Sequence, residues 1–168
     1  MVTTWLGAHR SHIPPAAWKR RQESWTPEVS AAGWERHLRE RDANRSGARA
    51  CYLIAEDPAG SLVAIAAAAV AADEPTGATG EVGSLYVHPD HQRQGLGRLL
   101  LRQLATRLQA MGVQVLHIGV LATNDEAQRF YQALGGQLSG ERLFDEDGDL
   151  LLERVYTWPD LTVLMMQR

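Results

Sequence analysis

Gln92-Arg93-Gln94-Gly95-Leu96-Gly97 follows an apolar run that ends at Val87 and opens a stretch in which Leu96, Leu99, Leu100, Leu104, Leu108 and Met111 recur mostly at three or four residues. The run reads as a strand, the repeat as an amphipathic helix closed by Gly112. The first turn of a helix leaves N–H groups unpaired and carries partial positive charge. Glycines let that backbone close around a phosphate without a Cβ in the way. The stretch is therefore a candidate pyrophosphate cradle, to which Arg93 and Arg98 could add charge-assisted contacts. A tight turn without a ligand is the other reading. No Gly-Lys-Ser/Thr follows, which excludes a Walker-type loop, and Leu100 occupies the third glycine position that a dinucleotide site requires.

Working outward, Ala50 to Ala55 and Leu62 to Ala72 read as a strand hairpin turning at Asp57-Pro58-Ala59-Gly60. Asp73 to Gly80 is a loop, and Glu81 to Val87 is the strand that enters the glycine turn. Val113 to Leu121 is a further strand. Asp125 to Leu134 is a helix with Ala127, Phe130, Tyr131 and Leu134 inward and Gly135 as its stop. A last hairpin runs from Gln137 to Trp158 and turns at Asp145-Glu146-Asp147-Gly148-Asp149. The first forty residues read as helices: Pro14-Pro15 suits one start, and a second opens after Pro27 with Trp34 and Leu38 on one face, before a break at Ser46-Gly47. The expectation is one α/β domain over residues 1–168.

Bulk properties narrow the function. A formal charge of -3 gives no field to hold nucleic acid or an anionic membrane. No stretch reaches the roughly 20 apolar residues needed to cross a bilayer, and no charged region followed by an apolar run opens the chain, so the cytoplasm is the expected compartment. Cys51 is the sole cysteine and reads as a small buried hydrophobe. His88 and His91 lack further ligands, so no metal is expected. His117 alternates within a strand and reads as structural. Asp145 to Asp149 has the wrong glycine offset for a calcium loop and reads as a solvated turn, with charge that could attract a cationic substrate. Trp5, Trp18, Trp25 and Trp34 read as helix packing.

Two segments carry a resemblance. Gln92-x-x-Gly95-x-Gly97, preceded by Leu85-Tyr86-Val87-His88-Pro89 and followed by Leu99-Leu100-Leu101, resembles the acyl-CoA signature of the GNAT superfamily of N-acetyltransferases. Asn124-x-x-Ala127-x-x-Phe130-Tyr131-x-x-Leu134-Gly135 resembles that family's second signature stretch. The resemblance implies a mixed, mostly antiparallel sheet flanked by helices, with residues 81–136 as the acyl-CoA core and residues 1–48 on the acceptor side, where some tryptophans would line the pocket. It implies acetyl-CoA as cosubstrate, no metal, and transfer to an amine of a small molecule or protein through a tetrahedral intermediate. A non-catalytic acyl-CoA binding or sensing module is the alternative.

By the same resemblance, the backbone of Arg93, Gln94, Gly95, Leu96, Gly97 and Arg98, entered through Gln92, would hold the pyrophosphate. The pantetheine arm would lie beside Leu85, Tyr86 and Val87, and the Leu85 N–H would face the thioester oxygen. Tyr131 matches the acid that protonates the departing thiolate, or is a core aromatic. Asn124 caps a helix or bonds the cofactor arm. Glu81 is the candidate general base acting through water, or an exposed residue at a strand end. Two departures stand out: no strand precedes the first helix, which leaves an edge able to pair with a second copy, and Gly136 replaces a common aromatic.

Overall fold

The computed structural model describes residues 2–43, 49–70 and 78–166. The expected break at Ser46-Gly47 and most of the loop before Gly80 lie outside the described residues. Three helices come first, α1 (Val2–His9), α2 (Pro15–Ser24) and α3 (Pro27–Ala43). Pro15 stands at the first position of α2, where its missing N–H costs nothing. Trp34 on α3 meets Tyr52 edge-on at 5.9 Å, whereas Leu38 is exposed rather than sharing that contact.

Six strands follow: β1 (Ala50–Glu56), β2 (Leu62–Val70), β3 (Thr79–Val87), β4 (Val115–Leu121), β5 (Gln137–Glu146) and β6 (Asp149–Trp158), in the sheet order β1-β2-β3-β4-β6-β5. Every neighbouring pair is antiparallel except β3 and β4. This is the mixed, mostly antiparallel sheet expected, and among the described residues no strand precedes α1, so β1 forms one edge. β4 begins two residues later than its apolar run suggests. Gln114 and Val115 both donate to the Ala78 carbonyl, at 2.7 and 3.0 Å, and regular pairing with β3 begins only at Val115.

Helix α4 (Leu96–Ala110) buries Leu100, Leu101, Leu104, Ala105 and Leu108 against Ala64, Ala66 and Ala68 of β2. Strand propensity is mute for such an alanine run. Packing explains it, because small side chains let the helix approach the sheet. Each leucine so buried contributes about 2 kcal/mol, and truncating Leu104 to alanine would cost roughly 2–5 kcal/mol. Helix α5 (Asp125–Ala133) follows β4.

The short α6 (Thr162–Met165) was not anticipated; Asp160 accepts from the Thr162 N–H at 2.8 Å, and Leu161 and Leu164 are buried in the core with α4. The β5–β6 hairpin turns through Asp147 and Gly148, both at positive φ (53° and 89°), as a two-residue loop prefers. Its tip is only in part the solvated turn expected: Asp145, Asp147 and Gly148 are exposed, but Glu146 is not. Glu146 is only 6% exposed and accepts from Arg21 Nε of α2 at 2.7 Å, while Arg20 pairs with Asp149. Two adjacent arginines on α2 thus pair with the acidic tip and dock it.

Candidate functional site

The site begins where the sheet divides. β3 and β4 pair only from Thr79 with Val115 to Val82 with Ile118. Beyond that point β3 stays bonded to β2 as far as Val87, and β4 to β6 as far as Leu121, but not to each other. Gly83 is the cause: Val82 opposes Ala68 and Ser84 opposes Ala67, so Gly83 is an extra residue in β3. Such a bulge bends its strand away from a partner. The result is a fork open at the C-terminal ends of two parallel strands.

Strand alternation fixes which groups face the fork. The His88 N–H donates to Val63 O at 2.7 Å, so the amides of His88 and Tyr86 point to β2. Those of Leu85 and Val87 therefore point to the fork, unbonded by β4. Of the strand residues expected to meet a cofactor arm, Leu85 and Val87 present backbone there, whereas Tyr86 has its amide on the β2 side and its ring toward α1.

The glycine turn closes the fork's mouth. After a 3-10 turn at Pro89–His91, Arg93 (φ 60°) and Gly95 (φ 85°) are both left-handed, and a Cβ at Gly95 would meet no atom within 4 Å. Gly95 caps α4 without a side-chain hydrogen bond, and the helix's first return bond is Leu99 N–H to Gly95 O at 2.9 Å. The first-turn amides thus stand toward open space. The side chains of Gln92 and Gln94 build the turn itself, donating at 3.1 Å to Val87 O and Asp90 O. Arg93 reaches across to Glu126 of α5 at 3.9 Å, and Arg98 stands in the first turn of α4.

Across the fork, Asn124 caps α5: its Oδ1 accepts from the Ala127 N–H at 3.1 Å, which leaves Nδ2 as the atom able to reach a ligand. Tyr131 is buried, edge-on to Phe130 and Trp158 with centroids 5.4 and 6.1 Å away. Burial, helped by Tyr86, holds its phenol well above the ordinary value, so it keeps its proton. Its hydroxyl makes no hydrogen bond to another described residue. Gln128 was not anticipated. It is buried and joins Arg154 Nη1 at 2.7 Å to the Ala122 carbonyl at 2.9 Å, anchoring α5 to the loop after β4.

The opposite face of the sheet carries the charges. Glu81 accepts from Arg142 Nη2 at 2.6 Å, and Arg142 Nε donates to Glu153 at 2.8 Å. His117, beside Glu81 in register, lies 2.6 Å from Thr157 Oγ1, in keeping with a structural reading. Above this face the Trp5 ring stacks on His9 at 4.2 Å and meets Trp25 edge-on at 5.3 Å, and Arg21 lies over both tryptophans. His9 approaches Tyr86 at 5.9 Å. Burial first, then Glu146, pushes the Tyr86 phenol up to about 12. The turn after α1 reaches past the fork, where Thr123 donates to His12 O at 3.4 Å.

A fork lined by strand edges not paired to each other, a glycine turn facing open space, and a helix N-terminus without a side-chain cap suit an extended amide-bearing chain ending in phosphate. Among the described residues no three His, Cys, Asp or Glu side chains are grouped to hold a metal ion, and no helix is long and apolar enough to cross a membrane.

Comparison with known proteins agrees with this geometry. The family model for the acetyltransferase (GNAT) family matches residues 15–136. The uncharacterized N-acetyltransferase YuaI of Bacillus subtilis is 33% identical over 111 residues, covering 66% of this chain and 64% of that one. The [ribosomal protein bS18]-alanine N-acetyltransferase of Escherichia coli is 41% identical over 76 residues, 45% of this chain and 48% of that one. The structure of yncA from Salmonella typhimurium with its cofactor acetyl-CoA aligns with a TM-score of 0.61 at 25% identity, covering 76% of this chain and 73% of that one. The two curated relatives are thus matched over 64% and 48% of their length.

Proposed function

Because this chain belongs to the GNAT family of acetyltransferases, we propose that it moves an acetyl group from acetyl-CoA to a primary amine by direct attack of the amine nitrogen. The observation that carries this reading is the fork between β3 and β4, with the glycine turn at its mouth. Coenzyme A supplies the acyl group already activated as a thioester. The backbone from Arg93 to Arg98 holds the pyrophosphate, with Asn124 Nδ2 as a further donor. Leu85 and Val87 bond the pantetheine amides as a strand would.

The Leu85 N–H then faces the oxygen that gains charge as nitrogen bonds to carbon, an effect on the order of 10²–10³ in rate. Glu81 takes the amine proton through water, since an amine with a pKa near ~10.4 is mostly charged at neutral pH. Tyr131, kept protonated by burial, gives its proton to the sulfur as the C–S bond breaks. No covalent enzyme intermediate is needed, and holding both reactants does much of the work. The acceptor enters from the side of α1 and α2, beside Trp5, His9 and Tyr86.

Thiol release from acetyl-CoA tests the reading directly, using a peptide beginning with alanine, free L-alanine and spermidine as acceptors. The similarity to an alanine N-acetyltransferase puts the peptide first. Acetylated amine and free thiol in equal amounts are expected with at least one. Tight coenzyme A binding without transfer to any would favour a non-catalytic acyl-CoA module.

A further inference from the structure

Arg142 belongs to β5, the outermost strand, yet its guanidinium meets Glu81 on β3 after crossing β6 and β4. The crossing runs over Gly119 of β4. A Cβ there would stand 2.8 Å from Arg142 Nη2 and overlap the Glu153 carboxylate. The missing side chain at 119 is therefore the passage through which β5 reaches β3. Glu153, whose side chain is 13% exposed, holds the guanidinium from below at 2.8 Å. Partial burial works against the charge on Arg142, but the carboxylates of Glu153 and Glu81 outweigh it and raise the group above its ordinary value.

Glu81 stands one residue before Val82, where pairing with β4 ends and the fork opens. Its charged or titratable surroundings are Arg142 from β5, Glu153 from β6, His117 beside it on β4 and Tyr86 further along β3, where α1 sets His9; its β2 neighbour, Ala69, brings none. The geometry points to Arg142 as a positioning residue that fixes the Glu81 carboxylate at the fork, with Glu153 fixing Arg142 in turn. This role rests on the transferase reading above. Two carboxylates share one cation, so Arg142 and Glu153 act on Glu81 in opposite senses.

The test is the pH dependence of acetyl transfer at saturating acetyl-CoA, with the three acceptors named above, for the wild type, Glu81→Gln, Arg142→Gln, Arg142→Lys and Glu153→Gln. The acceptor's own titration is common to all five. In Arg142→Gln, turnover falls at least roughly tenfold and the acid side of the profile moves up. In Glu153→Gln it moves down. Arg142→Lys restores most of the profile, and coenzyme A affinity stays within about twofold throughout. A role in folding alone would not move the profile in opposite directions.

An unmoved profile in Glu153→Gln and in Arg142→Gln, with the acid limb lost in Glu81→Gln, overturns the positioning role and leaves Glu81 as the base. Full activity in Glu81→Gln removes the base, and the positioning role with it. If Arg142→Gln does not fold, the downward shift in Glu153→Gln decides. If the wild type acetylates none of the three acceptors, the transferase reading fails and this role falls with it.

Discussion

Gly97, in the first turn of α4, lies against the ring of Phe130 on α5: a Cβ at position 97 would stand 3.2 Å from Phe130 Cζ. The glycine lets the phosphate turn and the helix carrying Tyr131 meet. It follows that Gly97→Arg acts by wedging the two helices apart. Coenzyme A affinity, measured by calorimetry, should fall by more than about tenfold. Phe130→Ala in the same chain should recover part of it. No recovery would mean that the arginine fills the cradle itself.

Tyr131→Phe separates the acid from the core aromatic. The hydroxyl has no hydrogen-bond partner among the described residues, so its removal should leave the melting temperature nearly unchanged. Turnover should fall by roughly 10²-fold with coenzyme A affinity intact. Because burial holds the phenol above its ordinary value, Tyr131 stays protonated and should add no alkaline loss of activity up to about pH 10.

Asn124 can be divided between its two tasks. Asn124→Asp keeps an oxygen for the Ala127 N–H and adds a charge that suits a helix N-terminus, so stability should hold. Asn124→Ala should lose about 1 kcal/mol in denaturant titration. Coenzyme A affinity should fall about tenfold in both, since both lack the amide donor. Wild-type affinity in Asn124→Asp would confine the residue to capping.

His9 makes stability depend on pH. Its imidazole lies below the ordinary value of 6.5, chiefly through burial, with the Trp5 carbonyl and Glu146 acting the other way. Below about pH 6.5 the unfolded chain therefore binds a proton that the folded chain resists. Stability should fall as pH drops through 6.5 toward the folded value and level off beneath it. Melting temperatures from pH 7.5 to 5 should show a flatter profile for His9→Phe, which keeps a ring on Trp5.

What could be read from the sequence were features that depend on neighbours along the chain. The turn from Gln92 to Gly97 announces itself because its glycines, strand and helix are contiguous. Asn124 and Gly135 mark both ends of α5 for the same reason. Glu81 reads from the sequence as the start of its strand but stands third in β3, paired on both sides, and its partner was not legible: Arg142 is 61 residues away, and the meeting depends on the register of four strands and on a bare Gly119. The burial of Glu146 within the acidic hairpin tip was hidden for a similar cause, since Arg21 lies 125 residues before it. Helix α6 escaped notice because four residues are too few to show a period.

The bulge at Gly83 also gives the sheet a seam. Strands β1, β2 and β3 form one panel and β4, β6 and β5 another, and only four residue pairs, from Thr79 with Val115 to Val82 with Ile118, stitch the panels edge to edge. A chain lying in the fork would continue that stitching toward Val87. Binding would then double as mechanical reinforcement, tying the panel that carries Leu85 to the panel that carries Arg142.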